Sequence, residues 1–154
     1  MRHTTNLEGI PELAMKWCAL LGMEVCAAFE ASGNEQLFPN RMALTGRDAH
    51  LLLAGKAQPM DALQFLLHEA QGEREDSKLA YLDVQGSRLF RMRELVAMAG
   101  LAAQKARQVG SYTFASLTPK ERRWVHLVIS NESGLETQSD GLGAVKSLKV
   151  LRKA

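Results

Sequence analysis

The sequence predicts an α+β protein made of two small modules, each an α/β sandwich. Two observations carry this expectation. Helical and extended hydrophobic patterns follow one another as helix, strand, strand, helix, Gly-containing loop, helix, strand, and a second set begins near Gly86. The charge divides at the same place. Residues 1–84 hold seven Lys/Arg against twelve Asp/Glu, a net of −5, and residues 85–154 hold twelve against five, a net of +7. The whole chain of 154 residues is therefore at +2, a value that hides the asymmetry. The expected modules are 1–85 and 86–154.

The elements follow in order. Residues 7–21 read as an amphipathic helix with Leu13, Met15, Trp17, Cys18, Leu20 and Leu21 on its apolar side, and Pro11 must fall in or before its first turn. Residues 24–31 read as a strand with Val25, Ala27 and Phe29 on one face. Gly33-Asn34 turns the chain and residues 41–44 form a second strand. Asp48 can cap a short helix through Leu53 that breaks at Gly55. Residues 59–70 form a helix with Met60, Leu63, Leu67 and Ala70 at helical spacing, and residues 79–84 a strand.

In the second half, residues 88–108 form a long helix. Its buried stripe holds Met92, Leu95, Val96 and the alanines Ala99, Ala102, Ala103 and Ala106, and Gly110 ends it. A short strand at 112–115 and a helix at 118–131 precede a hairpin of 136–140 with 145–151 around Gly141-Leu-Gly143.

Composition narrows the function. Hydrophobic residues make up 46% and charged residues 23%, as in ordinary globular proteins. Cys18 and Cys26 have no metal-ligand spacing and sit among apolar residues, which suggests buried, reduced thiols in a cytoplasmic protein. No signal peptide and no membrane-spanning run is expected. No Walker loop, nucleophile–base motif or metal cluster stands out, so no catalytic residue, no metal and no cofactor is expected and the chain reads as a non-enzyme. His3, His50 and His68 carry no partner signal, and His68 reads as a surface or boundary residue.

The most specific stretch is Thr118-Pro-Lys-Glu-Arg-Arg-Trp-Val-His126. Thr118 and Glu121 have capping-box spacing and Pro119 suits the first helical position. Trp124, Val125 and Val128 make the inward stripe. Arg122 and His126, at i and i+4, share another face with Lys120 and Arg123 flanking. An Arg fork meets phosphate with two hydrogen bonds, and a His can bond phosphate or stack on a base. Thr137 and Ser139 alternate on the following strand and face the same way. Arg88 and Arg91, at i and i+3, either extend the basic surface or are simply solvated.

Five pieces in order resemble the Jag family of bacterial RNA-binding proteins, in which a KH domain is joined to an R-3-H domain. They are Asp61-Ala-Leu-Gln64, Leu82-Asp83-Val-Gln-Gly86, Arg88-x-x-Arg91, Lys120-Glu-Arg-Arg-Trp-Val-His126-Leu and Glu136-Thr-Gln-Ser-Asp-Gly141. The resemblance covers about two-thirds of the chain in detail, in a short form without the family's extra N-terminal domain. It implies a bacterial-type KH fold followed by an R-3-H fold with helices on a three-stranded sheet. It makes Arg122 and His126 the signature pair for single-stranded nucleic acid, most simply RNA, with Thr137 and Ser139 beside them, and implies a post-transcriptional regulatory role.

The chain departs from that family in its first half. A KH domain holds the nucleic-acid backbone with a Gly-x-x-Gly loop, but here the loop reads Gly55-Lys-Ala-Gln-Pro59 and the second glycine is missing. Ser87 stands where an aromatic is common. Gly55 and Lys56 are thus secondary contacts at most, and the acidic half is expected to have lost its grip or to dock a protein partner or a second copy instead.

Overall fold

The computed structural model describes residues 7–142 and 146–154. The fold is α+β, with four α-helices and two three-stranded sheets among those residues. It divides into two compact units, one ending at Leu89 and one starting at Phe90. The division falls in the first turn of a helix, four residues past the expected join.

The first unit holds α1 (Ile10–Leu20), β1 (Cys26–Phe29), β2 (Arg41–Thr45), a 3-10 turn (Ala49–Leu53), α2 (Ala54–Gln71) and β3 (Tyr81–Val84). The sheet order is β1-β2-β3, with β1 antiparallel and β3 parallel to β2. A hydrophobic cluster joins Ile10, Ala14 and Cys18 of α1 with Met42 and Leu44 of β2, Met60, Leu63 and Leu67 of α2, and Leu82 and Val84 of β3.

The α1 stripe differs from expectation. The fully inward positions are Ile10, Ala14 and Cys18, spaced four apart, while Leu13, Met15 and Trp17 are half-buried at its flanks. Leu20 and Leu21 lie at the helix end, where the chain turns away, and are 75% and 76% exposed. Ala70 likewise points outward, because α2 buries only the line Met60, Leu63, Leu67. Cys26 is exposed rather than buried: strand alternation sends Val25 and Ala27 inward and leaves Cys26 outward on an edge strand. Phe29, expected with them, is also exposed. Asp48 does not cap the 3-10 turn. Its backbone is not extended there, and its carboxylate accepts instead from the Glu24 N–H at 2.8 Å.

Arg41 to Leu44 are all buried, so both faces of β2 are covered. Burying Arg41 requires a partner, and Asp83 on β3 supplies it. Arg41 Nε donates to Asp83 Oδ2 at 2.7 Å, and Arg41 Nη1 to Glu30 at 3.1 Å. The Asp83 carboxylate also accepts from the backbone N–H groups of Arg88 and Leu89, so it satisfies the start of the next helix. Burial opposes the Arg41 charge, but its two carboxylate partners outweigh this and hold its pKa above the ordinary value.

That helix, α3 (Ser87–Val109), leads into β4 (Ser111–Leu117), α4 (Pro119–Ser130), β5 (Leu135–Asp140) and β6 (Lys146–Arg152). The sheet is antiparallel in the order β4-β6-β5. Val145 and Gly143, expected in the last hairpin, lie outside the described residues, as does His3. Gly110 stops α3 with φ 94, its N–H bonded to the Ala106 carbonyl at 2.8 Å; a side chain there would be strained. β4 runs two residues past its expected end because a register shift between Phe114 and Leu117, with Ser116 at φ 55, lets Leu117 return to the core. On α3, Met92, Leu95 and the alanines Ala99, Ala102, Ala103 and Ala106 are buried while Val96 is half-buried. No helix among the described residues is long and apolar enough to cross a membrane.

Candidate nucleic-acid interface

The candidate site starts at the N-terminus of α4. Thr118 is extended and caps the helix: its Oγ1 accepts from the Glu121 N–H at 3.4 Å, and Glu121 Oε2 accepts from the Thr118 N–H at 2.8 Å. Both halves of the capping box are thus present. Glu121 has a second partner, since Arg91 Nε on α3 donates to its Oε1 at 2.7 Å while Arg91 Nη1 reaches Glu94 at 2.6 Å. Burial pushes the Glu121 carboxyl up, but Arg91 and the Thr118 donors outweigh it and the net shift is downward. Arg91 is held above its ordinary value by bonds to Glu121 and Glu94. α4 is therefore pinned at its first turn by a charged clamp from a neighbouring helix.

Inward, α4 buries Trp124, Val125 and Ile129. Val128, expected in this stripe, is half-buried; Ile129, one turn beyond Val125, takes the inward place. Outward, Arg122 and His126 stand one turn apart. Arg122 Nη1 donates to the Leu117 carbonyl at 2.7 Å, which ties its guanidinium to the strand end just before the helix. His126 is exposed and its Nδ1 shares a 2.5 Å hydrogen bond with Thr137 Oγ1 on β5. Thr137 and Ser139 pair across the strand with Val150 and Leu148, both buried, so their side chains lie on the sheet face that α4 packs against. Since β5 is an edge strand, the arrangement is a seam between a helix and a sheet edge, with a guanidinium, an imidazole and two hydroxyls along it.

The other expected site residues divide. Arg123 is exposed on α4. Lys120 is half-buried with its Nζ 5.5 Å from the centre of the Trp124 ring, within cation–π range. Arg91 belongs to the Glu121 clamp. Arg88 does not share a surface role with it, because its guanidinium is engaged inside the first unit by Asp61, Gln64 and the Leu82 carbonyl. Burial leads in lowering the Arg88 pKa, with Asp61 and Asp83 opposing. Gly55 and Lys56 are exposed, and together with Ala57 they are left-handed, at φ 55, 61 and 63. The regular right-handed part of α2 follows them. Lys56 and Ala57 are strained there, since left-handed backbone disfavours residues with a Cβ.

Two groups escaped sequence reasoning. Asp83 was legible only as a motif residue, although a carboxylate between Leu82 and Val84 on an apolar strand signals a buried partner. His68 does have a partner: its Nε2 donates to the Ala80 carbonyl at 2.6 Å and its ring meets Tyr81 edge-on. Phe90 is 72% exposed, whereas Phe114 is buried and Tyr112 half-buried. No protein-family model matches this chain, and neither does any curated protein.

Proposed function

We propose that the second unit binds single-stranded nucleic acid, most simply RNA, along the seam between α4 and β5. The observation that carries this is the group Arg122, His126 and Thr137: two cationic or polar ligands one turn apart on a helix clamped at its start, the second bonded to a strand hydroxyl. A guanidinium fork suits a phosphate, and an imidazole and hydroxyls suit sugar and phosphate oxygens. The excess of Lys and Arg in this part of the chain favours a polyanion. The resemblance to Jag proteins agrees, with the second unit as an R-3-H domain, the first as a KH domain, and a post-transcriptional role in the cytoplasm. The helix–strand–strand–helix–strand order of the first unit supports that assignment, while its net negative charge and lone Gly55 argue that it contributes little to phosphate binding.

The test is fluorescence anisotropy of labelled single-stranded RNA and DNA at two salt concentrations. Binding should weaken with salt at a log–log slope of about −0.7 per phosphate contacted. Arg122→Ala should weaken all sequences alike and reduce that slope by about one contact. Binding unchanged in Arg122→Ala and His126→Ala would overturn the assignment.

A further inference from the structure

We infer that this protein self-associates head to tail, with the outer face of α2 on one copy docking against the outer face of α3 on a second copy. The inference goes beyond the nucleic-acid reading and does not depend on it.

Between Asp61 and Ala70, the exposed positions of α2 are Asp61, Ala62, Phe65, Leu66, Glu69 and Ala70. They form two adjacent rows at i, i+4, i+8. One row runs Ala62, Leu66, Ala70; the other runs Asp61, Phe65, Glu69. Phe65 is 62% exposed and Leu66 52%. The face is therefore a large apolar ridge with small residues at each end of one row, acidic along the other, and it carries no cation. Asp61 is occupied by Arg88, but Glu69 has no cation partner among the described residues.

The exposed side of α3 is its complement. Phe90, Glu94, Ala97 and Leu101 follow one another at helical spacing, with Leu101 67% exposed and Glu94 already tied to Arg91. Gly100 lies beside Leu101, so a second backbone can approach closely there. Arg93 and Lys105 are exposed on the same helix, and neither pairs with a carboxylate among the described residues. Both faces set bulky residues beside small ones, so they can interlock, and the unpaired carboxylate of α2 has unpaired cations to meet on α3. Matched opposite charge at a helix–helix contact steers the pairing and penalises α2 on α2, where Glu69 would meet like charge. An α2–α3 contact is heterologous, which is what the next experiment reads.

The full-length chain is followed by sedimentation velocity without nucleic acid, across a wide concentration range. The parent should gain mass with concentration. Leu66→Asp and Leu101→Asp each remove one face at an exposed position, and each should remain monomeric alone with an unchanged circular-dichroism spectrum. Mixed together, the intact α3 of the first and the intact α2 of the second should restore one contact and give a 1:1 heterodimer. A parent that is monomeric throughout overturns the inference. So does a Leu101→Asp chain that still associates, or a mixture that stays monomeric. Arg122→Ala should associate like the parent, so failure of the nucleic-acid reading would leave this result standing, and the converse also holds.

Discussion

Arg91 Nε sits 2.7 Å from Glu121 Oε1, so the carboxylate that closes the capping box of α4 is also tied to α3. A single side chain links two helices through residues thirty positions apart in sequence. Replacing Glu121 with Ala removes the N3 half of the cap and leaves Arg91 with Glu94 alone. The expected loss is about 1–2 kcal/mol, read by urea denaturation, with Arg91→Ala losing less because the cap survives.

The same carboxylate gives stability an acid limb. Its folded pKa lies below the ordinary 4.5, so the proton binds the unfolded chain more readily. The contribution is present above 4.5 and is lost as the pH falls toward the depressed folded value. Glu121→Gln should flatten that limb while costing less at neutral pH than Glu121→Ala. Denaturation midpoints of parent and variant at neutral and acid pH check this; parallel pH profiles would sink it.

Asp83→Ala should be the most damaging single change in the first unit. It leaves Arg41 buried without its main partner and removes the acceptor for the first N–H groups of α3. Breaking one side of a buried pair costs about 3–5 kcal/mol. Replacing Arg41 and Asp83 together with Met and Leu should recover part of that loss in a double-mutant cycle.

These examples show what the sequence makes legible. The capping box lies within four residues, and the Thr and Glu that form it can do so only by local geometry, so its spacing reveals it. Arg41 with Asp83 and Arg91 with Glu121 close across long stretches of chain, and helical or strand period names a face without naming what meets it. Arg88 and Arg91 illustrate the limit: three residues apart on one helix, they turn to different partners, Asp61 and Gln64 for one, Glu94 and Glu121 for the other. The outward position of Cys26 has the same origin, since apolar neighbours mark a buried strand but not which of its alternate positions points inward.

The two cysteines should separate cleanly. Burial raises the Cys18 thiol above its ordinary value, whereas Cys26 is exposed. Thiolate is the reactive form, so a chromogenic disulfide reagent should modify one thiol rapidly in the native protein and a second only after denaturation. Cys26→Ser should abolish the rapid phase.

Lys56 is exposed at φ 61. Lys56→Gly should raise stability by about 0.5–1 kcal/mol, the left-handed strain outweighing the added freedom of the unfolded chain. A thermal melt tests the sign.

The order β4-β6-β5 has a consequence for the chain as it is made. The strand that comes last in the second unit is the one in the middle, and β4 and β5 have no ladder with each other. During synthesis neither can enter a sheet until β6 emerges from the ribosome, so Trp124, Val125 and Ile129 of α4 wait exposed on the nascent chain. The second unit is thus expected to fold late and all at once, and a ribosome stalled before Lys146 would hold an α4 without the finished sheet it packs on.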